Sequence, residues 1–175
     1  MAGIAIRPER PGDEGAIRSL VDAAFAPSTE EGRIIDDLRG GEGWVPELSL
    51  VAVDDDGAIV GQCVTSVGRL AGEDGTSHQI LALGPIAVAP GRQRRGIGGA
   101  LIRRTIAEAT ASGWPVITLL GHDTYYPRFG FESARSIGIE PQQPWSDAHW
   151  MALRLPAWTP DVRGTMRFPA AFALD

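Results

Sequence analysis

The segment from Ile80 to Leu120 sets the tightest limit on what this chain can fold into. It reads ILALGPIAVAPGRQRRGIGGALIRRTIAEATASGWPVITLL. Two apolar runs of strand length, Ile80–Val88 and Val116–Leu120, bracket it. Between them lie a glycine-rich, basic loop and a helical pattern with Ala100, Leu101, Ile106 and Ala107 among its apolar positions, ended by Gly113. A strand, a helix and a second strand in that order form a crossover unit, which joins parallel neighbours in a sheet with right-handed connectivity. Gly84–Pro85 interrupt the first strand. Proline cannot donate to a ladder, so a bulge or a splay is expected there.

The loop bears on function. The first turn of a helix leaves N–H groups without partners, and its dipole favours anions. Glycine lets a phosphate approach those groups closely. Here Gln93, Gly96, Gly98 and Gly99 follow a strand and open a helix, with Arg92, Arg94 and Arg95 adding positive charge. A solvated turn is the plain alternative; the strand–loop–helix context favours a diphosphate cradle. The chain has a net charge of −6, so this basic cluster runs against the global sign and general nucleic-acid binding is not expected. All 16 basic residues are arginine, which excludes Schiff-base lysine chemistry and a lysine-type nucleotide loop. A dinucleotide fingerprint belongs after an early strand, and this loop follows the fourth. The remaining common ligand is the pyrophosphate of coenzyme A.

The flanking chain reads as one α/β domain over residues 1–175, which is long enough for a real core. Ile4–Arg7 alternates as a strand. A helix is expected from Asp13, as cap, to Phe25, and a second from Ser28 or Thr29 to Leu38, with Glu30 and Glu31 in its first turn. LSLVAVDDDGAIVGQCVTSV reads as a hairpin about DDDG. A polar loop is expected over Gly68–Ser77, a short helical turn after Tyr125–Tyr126, strands near Ser136–Ile139 and Trp150–Leu155, and an irregular tail over 156–175. No stretch approaches 18 uninterrupted apolar residues and the N-terminus lacks a signal-type apolar run, so a cytoplasmic protein without a membrane span is expected. Cys63 is the single cysteine and the three histidines are scattered, so neither a disulfide nor a metal site is expected.

IAVAPGRQRRGIGGALIRRTI resembles the acyl-CoA-binding motif of the GNAT superfamily of acetyltransferases, and YYPRFGF (Tyr125–Phe131) resembles its later tyrosine motif. EEGRIIDDLR, LALGPIAV, LLGHDTYYPRFGF and GTMRFPAAF are similar to a bacterial group of predicted N-acetyltransferases within it. The resemblance spans roughly residues 3–155. It implies a central mixed, twisted sheet of six or seven strands flanked by helices and splayed between the fourth and fifth. It implies acetyl-CoA as co-substrate, held by backbone groups of Ile86, Ala87 and Val88 along the pantetheine arm. The stretch Gln93, Arg94, Arg95, Gly96, Ile97, Gly98 and Gly99 would hold the pyrophosphate. Tyr126 matches the usual general acid, and Tyr125 a core residue or pocket wall. Glu31, with Glu30 beside it, would bind the amine or take its proton, and His122 is a further candidate. The acceptor would be an amine of a small molecule or peptide, and homodimer formation is left open. A non-catalytic acyl-CoA sensor is the alternative from another class, and an ADP or dinucleotide binder a third. The chain has no asparagine, so the one that often precedes the tyrosine in this superfamily is missing.

Overall fold

The long hairpin supplies the frame on which everything else is hung. In the computed structural model, which describes residues 3–174, β1 (Ala5–Pro8) is followed by helices α1 (Glu14–Phe25) and α2 (Glu30–Leu38). Then come β2 (Ser49–Val53), β3 (Ile59–Ala71) and β4 (Ser77–Val88), helix α3 (Ile97–Ala111) and β5 (Val116–Leu120). Two-residue strands β6 (Glu132–Ser133) and β7 (Ile139–Glu140), then β8 (Trp150–Arg154) and β9 (Gly164–Arg167), complete one sheet. Its main order is β1-β2-β3-β4-β5-β8-β6, with β9 joining β3 and β7. The β4–β5 pair is parallel, as the crossover required.

One face of the sheet carries α1 and α2, whose Ile17, Leu20, Val21, Ile35 and Leu38 bury against Val51, Val64 and Ala87. The other face carries α3, whose Ile97, Leu101 and Ile102 pack on Leu50, Cys63, Leu81 and Leu83. A third cluster around Trp150, with Leu70, Ile80, Val116, Ile139 and Met166, closes the far end.

The structure corrects several local expectations. The strand expected near Ser136–Ile139 is displaced: Ala134–Ile137 is a 3₁₀ turn that ends at Gly138 in the left-handed region (φ 80°), and β7 begins only at Ile139. The Ser136 hydroxyl donates to the Ser133 carbonyl at 2.6 Å, which supports that turn against extension. Half of Gly68–Ser77 is strand, with the turn confined to residues 72–76. Gly68 serves close approach there, because a Cβ would collide with Met166 on β9. The tail is not irregular: β9 pairs Arg69↔Arg167, Leu70↔Met166 and Ala71↔Thr165. The sheet thus has nine strand segments among the described residues. Asp13 does not cap α1 with its side chain; its carboxylate accepts from the Arg10 N–H and the Arg7 guanidinium instead.

Candidate active site

The gap in the sheet follows from the register. β4 pairs with β5 only at Leu81↔Ile117 and Ala82↔Thr118. Beyond Ala82 the two strands diverge, and the β3–β4 register shifts where Gly84 (φ 131°) and Pro85 interrupt β4. Ile86, Ala87 and Val88 stay paired to Cys63, Gln62 and Gly61 on one side and have no strand partner on the other. An open backbone edge thereby lies beside a cleft.

Two cavities flank this edge. The first, about 430 Å³, is built on the glycine loop: Val88, Gln93, Arg94, Gly96, Ile97, Gly98 and Gly99 line it, with Arg103, Tyr125, Arg128 and Phe129 opposite. Arg94 (φ 60°) and Gly96 (φ 83°) both adopt the left-handed region, which turns the chain into the start of α3. Gln93 Nε2 donates to the Val88 carbonyl at 3.2 Å and ties the loop to β4. A Cβ at Gly98 would stand 3.6 Å from the Tyr125 hydroxyl and 3.7 Å from Val88, so the missing side chain leaves usable room. Arg103 lies over the Phe129 ring at 5.3 Å and Arg128 over Tyr125 at 4.5 Å. Three guanidiniums and a helix N-terminus thus line a cavity to which no carboxylate contributes, the electrostatics of an anion cradle. Arg92, read from the sequence as part of that charge, is instead paired with Asp54 at 2.7 Å. Arg95 is exposed and outside the lining, and Ala87 faces the α1–α2 core.

The second cavity, about 550 Å³, opens on the other side of the splay. Gly84, Pro85 and Ile86 form one wall, Glu30, Glu31 and Ile34 of α2 another, and Tyr126 and His122 a third. Glu31 accepts a hydrogen bond from the Ser28 hydroxyl at 2.6 Å, which fixes its carboxylate at the start of the helix. Tyr126 is buried, stacked edge-on against Tyr125 at 5.2 Å and Phe131 at 5.9 Å. Gly121 admits its ring, because a Cβ there would collide with it. The Tyr126 hydroxyl has no hydrogen-bond partner among the described residues. Burial, then the neighbouring Cys63 and Tyr125, push its pKa up to about 12. The group therefore stays a proton donor across the physiological range.

Sequence reasoning brought Glu31, Ile86 and Tyr126 to one cleft and most of the loop to the other, and it missed a wall. Trp145, Phe168, Phe172 and Leu174 also line the second cavity. The apolar FPAAFAL run at the end of the chain was the available signal. Among the described residues no group of three or more His, Cys, Asp or Glu is placed to hold a metal.

Residues 46–133 match the family model for an acetyltransferase (GNAT) domain. The chain belongs to the GNAT acetyltransferase family. It is 36% identical to the uncharacterized N-acetyltransferase YjhQ of Escherichia coli (strain K12), over 89% of this chain and 86% of that one. It is 30% identical to the uncharacterized N-acetyltransferase YhbS of the same strain, over 86% of each. The crystal structure of YhbS from Escherichia coli in complex with CoA superposes with a TM-score of 0.88 at 25% identity, covering 99% of this chain and 93% of YhbS. A GNAT family acetyltransferase from Brucella melitensis in complex with acetyl-CoA gives 0.78 at 34% identity, covering 98% and 99%. The splayed sheet and the α/β topology of this chain are those of the GNAT fold. No helix among the described residues is long and apolar enough to cross a membrane.

Proposed function

We propose that this GNAT enzyme transfers an acetyl group from acetyl-CoA directly to an amine in the cleft between β4 and β5. The observation that carries this is the pair of cavities joined along one strand: Val88 lines the anion cradle and Ile86 the neighbouring cleft. A thioester arm laid on the open edge of β4 leads from one to the other. The binding of CoA and acetyl-CoA by the two structural neighbours supports acetyl-CoA as the co-substrate. The cradle's arginines and the N-terminus of α3 would hold its phosphates.

In this reading the amine nitrogen attacks the thioester carbonyl, the C–N bond forms, and the C–S bond breaks. The departing sulfur needs a proton, which Tyr126 supplies, and the tyrosinate left behind recovers one from the newly acylated nitrogen through solvent. An ordinary thiol titrates near 9, so transfer from a hydroxyl at about 12 looks uphill by about 4 kcal/mol. Desolvation of the coenzyme sulfur in the cleft raises it in the same direction and narrows that difference. Glu31 binds the incoming ammonium and accepts its proton through water, and Glu30 adds negative charge at the mouth. Cys63, a free and buried thiol, suits the reducing cytoplasm.

The test is a panel of amines (arylalkylamines, polyamines, peptide N-termini, lysine peptides) with acetyl-CoA, reading thiol release. Amine-dependent release is expected. Tight acetyl-CoA binding with no release from any class would reject transfer and leave a sensor.

A further inference from the structure

The arginines of this chain divide into two populations. Arg7, Arg18, Arg33, Arg39, Arg92, Arg104, Arg135 and Arg154 each pair with a carboxylate. Among the described residues without such a pair, Arg94, Arg103 and Arg128 line the coenzyme cradle, Arg10, Arg95 and Arg163 stand singly, and two more, Arg69 and Arg167, come together elsewhere. Arg69 on β3 and Arg167 on β9 are directly opposed in antiparallel register. Their neighbours Leu70 and Met166 are fully buried on the opposite face, so both guanidiniums stand on the outer side. Like charges directly opposed across strands are destabilising. No carboxylate pairs with either residue among the described residues. Gln79 of β4 is in register with Arg69 and extends the polar row.

This row borders a cavity of about 380 Å³ whose walls include Trp44 and Phe168. Glu42 also lines it but forms no ion pair with either arginine. Two unpaired guanidinium forks, an amide and an aromatic wall are the donor set that takes a carboxylate or phosphate. The site is distinct from the coenzyme cradle. Val88, at the cradle, is in register with Gly61, eight residues before Arg69 on β3. It is near the acceptor cleft, because Phe168 is a wall of both cavities. Thr65 pairs with Leu83 at the edge of the splay, and four residues of strand separate it from Arg69, about 13 Å.

We propose that Arg69 and Arg167 form a second anion site, which binds a carboxylate or phosphate group carried by the acceptor or supplied as a free small anion. Placement beside the cleft rests on the acetyl-transfer reading; the anion chemistry does not.

Two arms test it. In the first, isotope-labelled full-length protein is titrated with inorganic phosphate and, separately, with succinate. The medium is about 0.15 M salt, where charges beyond about 8 Å are screened. Arginine side-chain N–H resonances, assigned with Arg69→Gln and Arg167→Gln, are followed by NMR. Saturable shifts at Arg69 and Arg167, but not at exposed Arg10, are expected. Each Gln variant should weaken phosphate binding about tenfold or more. Each should also melt no lower than wild type, because a repulsion is relieved. Arg167→Lys, which keeps the charge and loses the fork, should fall between. Absent shifts, or equal shifts at every exposed arginine, would overturn the proposal.

In the second arm, matched amines with and without a remote carboxylate or phosphate are compared in Arg167→Gln. A rise in KM about tenfold larger for the anionic member assigns the anion to the acceptor. A proportionate change in both, with the resonance shifts intact, assigns it to a free anion. If no amine is acetylated, the acetyl-transfer reading fails, and the titration still decides the anion site.

Discussion

Gly98 offers a perturbation in which stability and binding should move in opposite directions. It lies inside the first turn of α3, and its nearest prospective neighbours stand at 3.6 and 3.7 Å, ordinary contact distances for a methyl group. Gly98→Ala therefore fits the ligand-free protein. Replacing a helical glycine with alanine gains roughly 0.5 kcal/mol. The added methyl, however, occupies the space between Tyr125 and Val88 that the cradle keeps open for phosphate. Losing one or more hydrogen bonds to a charged oxygen, each worth about 1.5–3 kcal/mol, should weaken acetyl-CoA binding about 10- to 150-fold. Gly96→Ala is the contrast. Its φ of 83° costs an L-residue about 1–2 kcal/mol. The stiffer unfolded chain returns about 0.4–1 kcal/mol of that, so a net loss near 1 kcal/mol is expected. Urea denaturation and calorimetric titration with acetyl-CoA, run on both variants, read the two quantities separately. A Gly98→Ala protein that binds acetyl-CoA as tightly as wild type would refute the placement of the phosphates. One that loses stability would refute the reading of the space around Gly98.

Three further outcomes are expected. Tyr126→Phe should lower kcat by about 10²–10⁴-fold with little change in acetyl-CoA affinity. Tyr125→Phe should affect coenzyme affinity more than turnover, since it lines the cradle; steady-state rates and calorimetry on both variants check this, and near-normal turnover in Tyr126→Phe would reject the acid role. Glu31→Gln should keep acetyl-CoA affinity and raise the acceptor KM, and an unchanged KM and rate would return Glu31 to a helix-start acid held by Ser28. Alkaline pH should destabilise the fold. The Cys63 thiol and Tyr126 hydroxyl are raised by burial from ordinary values of 9.0 and 10.0 to about 12, so the unfolded chain gives up these protons first. Stability is then full below pH 9 and falls by about 1.4 kcal/mol per pH unit up to pH 10. Above pH 10, where Tyr126 joins, it falls about twice as steeply. Denaturation at pH 8, 9.5 and 10.5 checks this, and a Cys63→Ala protein with an unchanged slope between pH 9 and 10 would contradict it.

What could be read in advance depended on how local the cause was. The crossover from Ile80 to Leu120 was legible because strand, loop and helix each carry their own periodicity and punctuation. The splay was legible because Gly84–Pro85 announce it within two residues. β9 was not, because Gly164–Arg167 is four residues long and its reason to be extended lies on β3, nearly a hundred residues earlier. Gly68 misled for the same reason: it looks like loop composition, and its cause is Met166 pressing on the strand. The loop half of the proposed cradle was read from the glycine pattern, but Arg103, Arg128 and Phe129 opposite it were not; Phe168 and Phe172 offered only an apolar run, and Trp145 gives no local hint that it walls a cleft. Arg92 shows the limit of counting charges, since Asp54 takes it out of the cradle.

The walls of the two cavities are written in different parts of the chain. The cradle is built from residues 88–103 and 125–129, whereas the cleft proposed for the acceptor adds, to the shared floor of 82–86 and 119–126, walls from 25–34 at one end and 145–174 at the other. Substitutions that reshape the acceptor wall therefore leave the coenzyme's seat intact, and the chemistry survives while its target drifts. Such a scaffold is evolvable: exchanging the terminal segment that carries Phe168 and Phe172 is a route to a new acceptor without reinventing the acetyl donor.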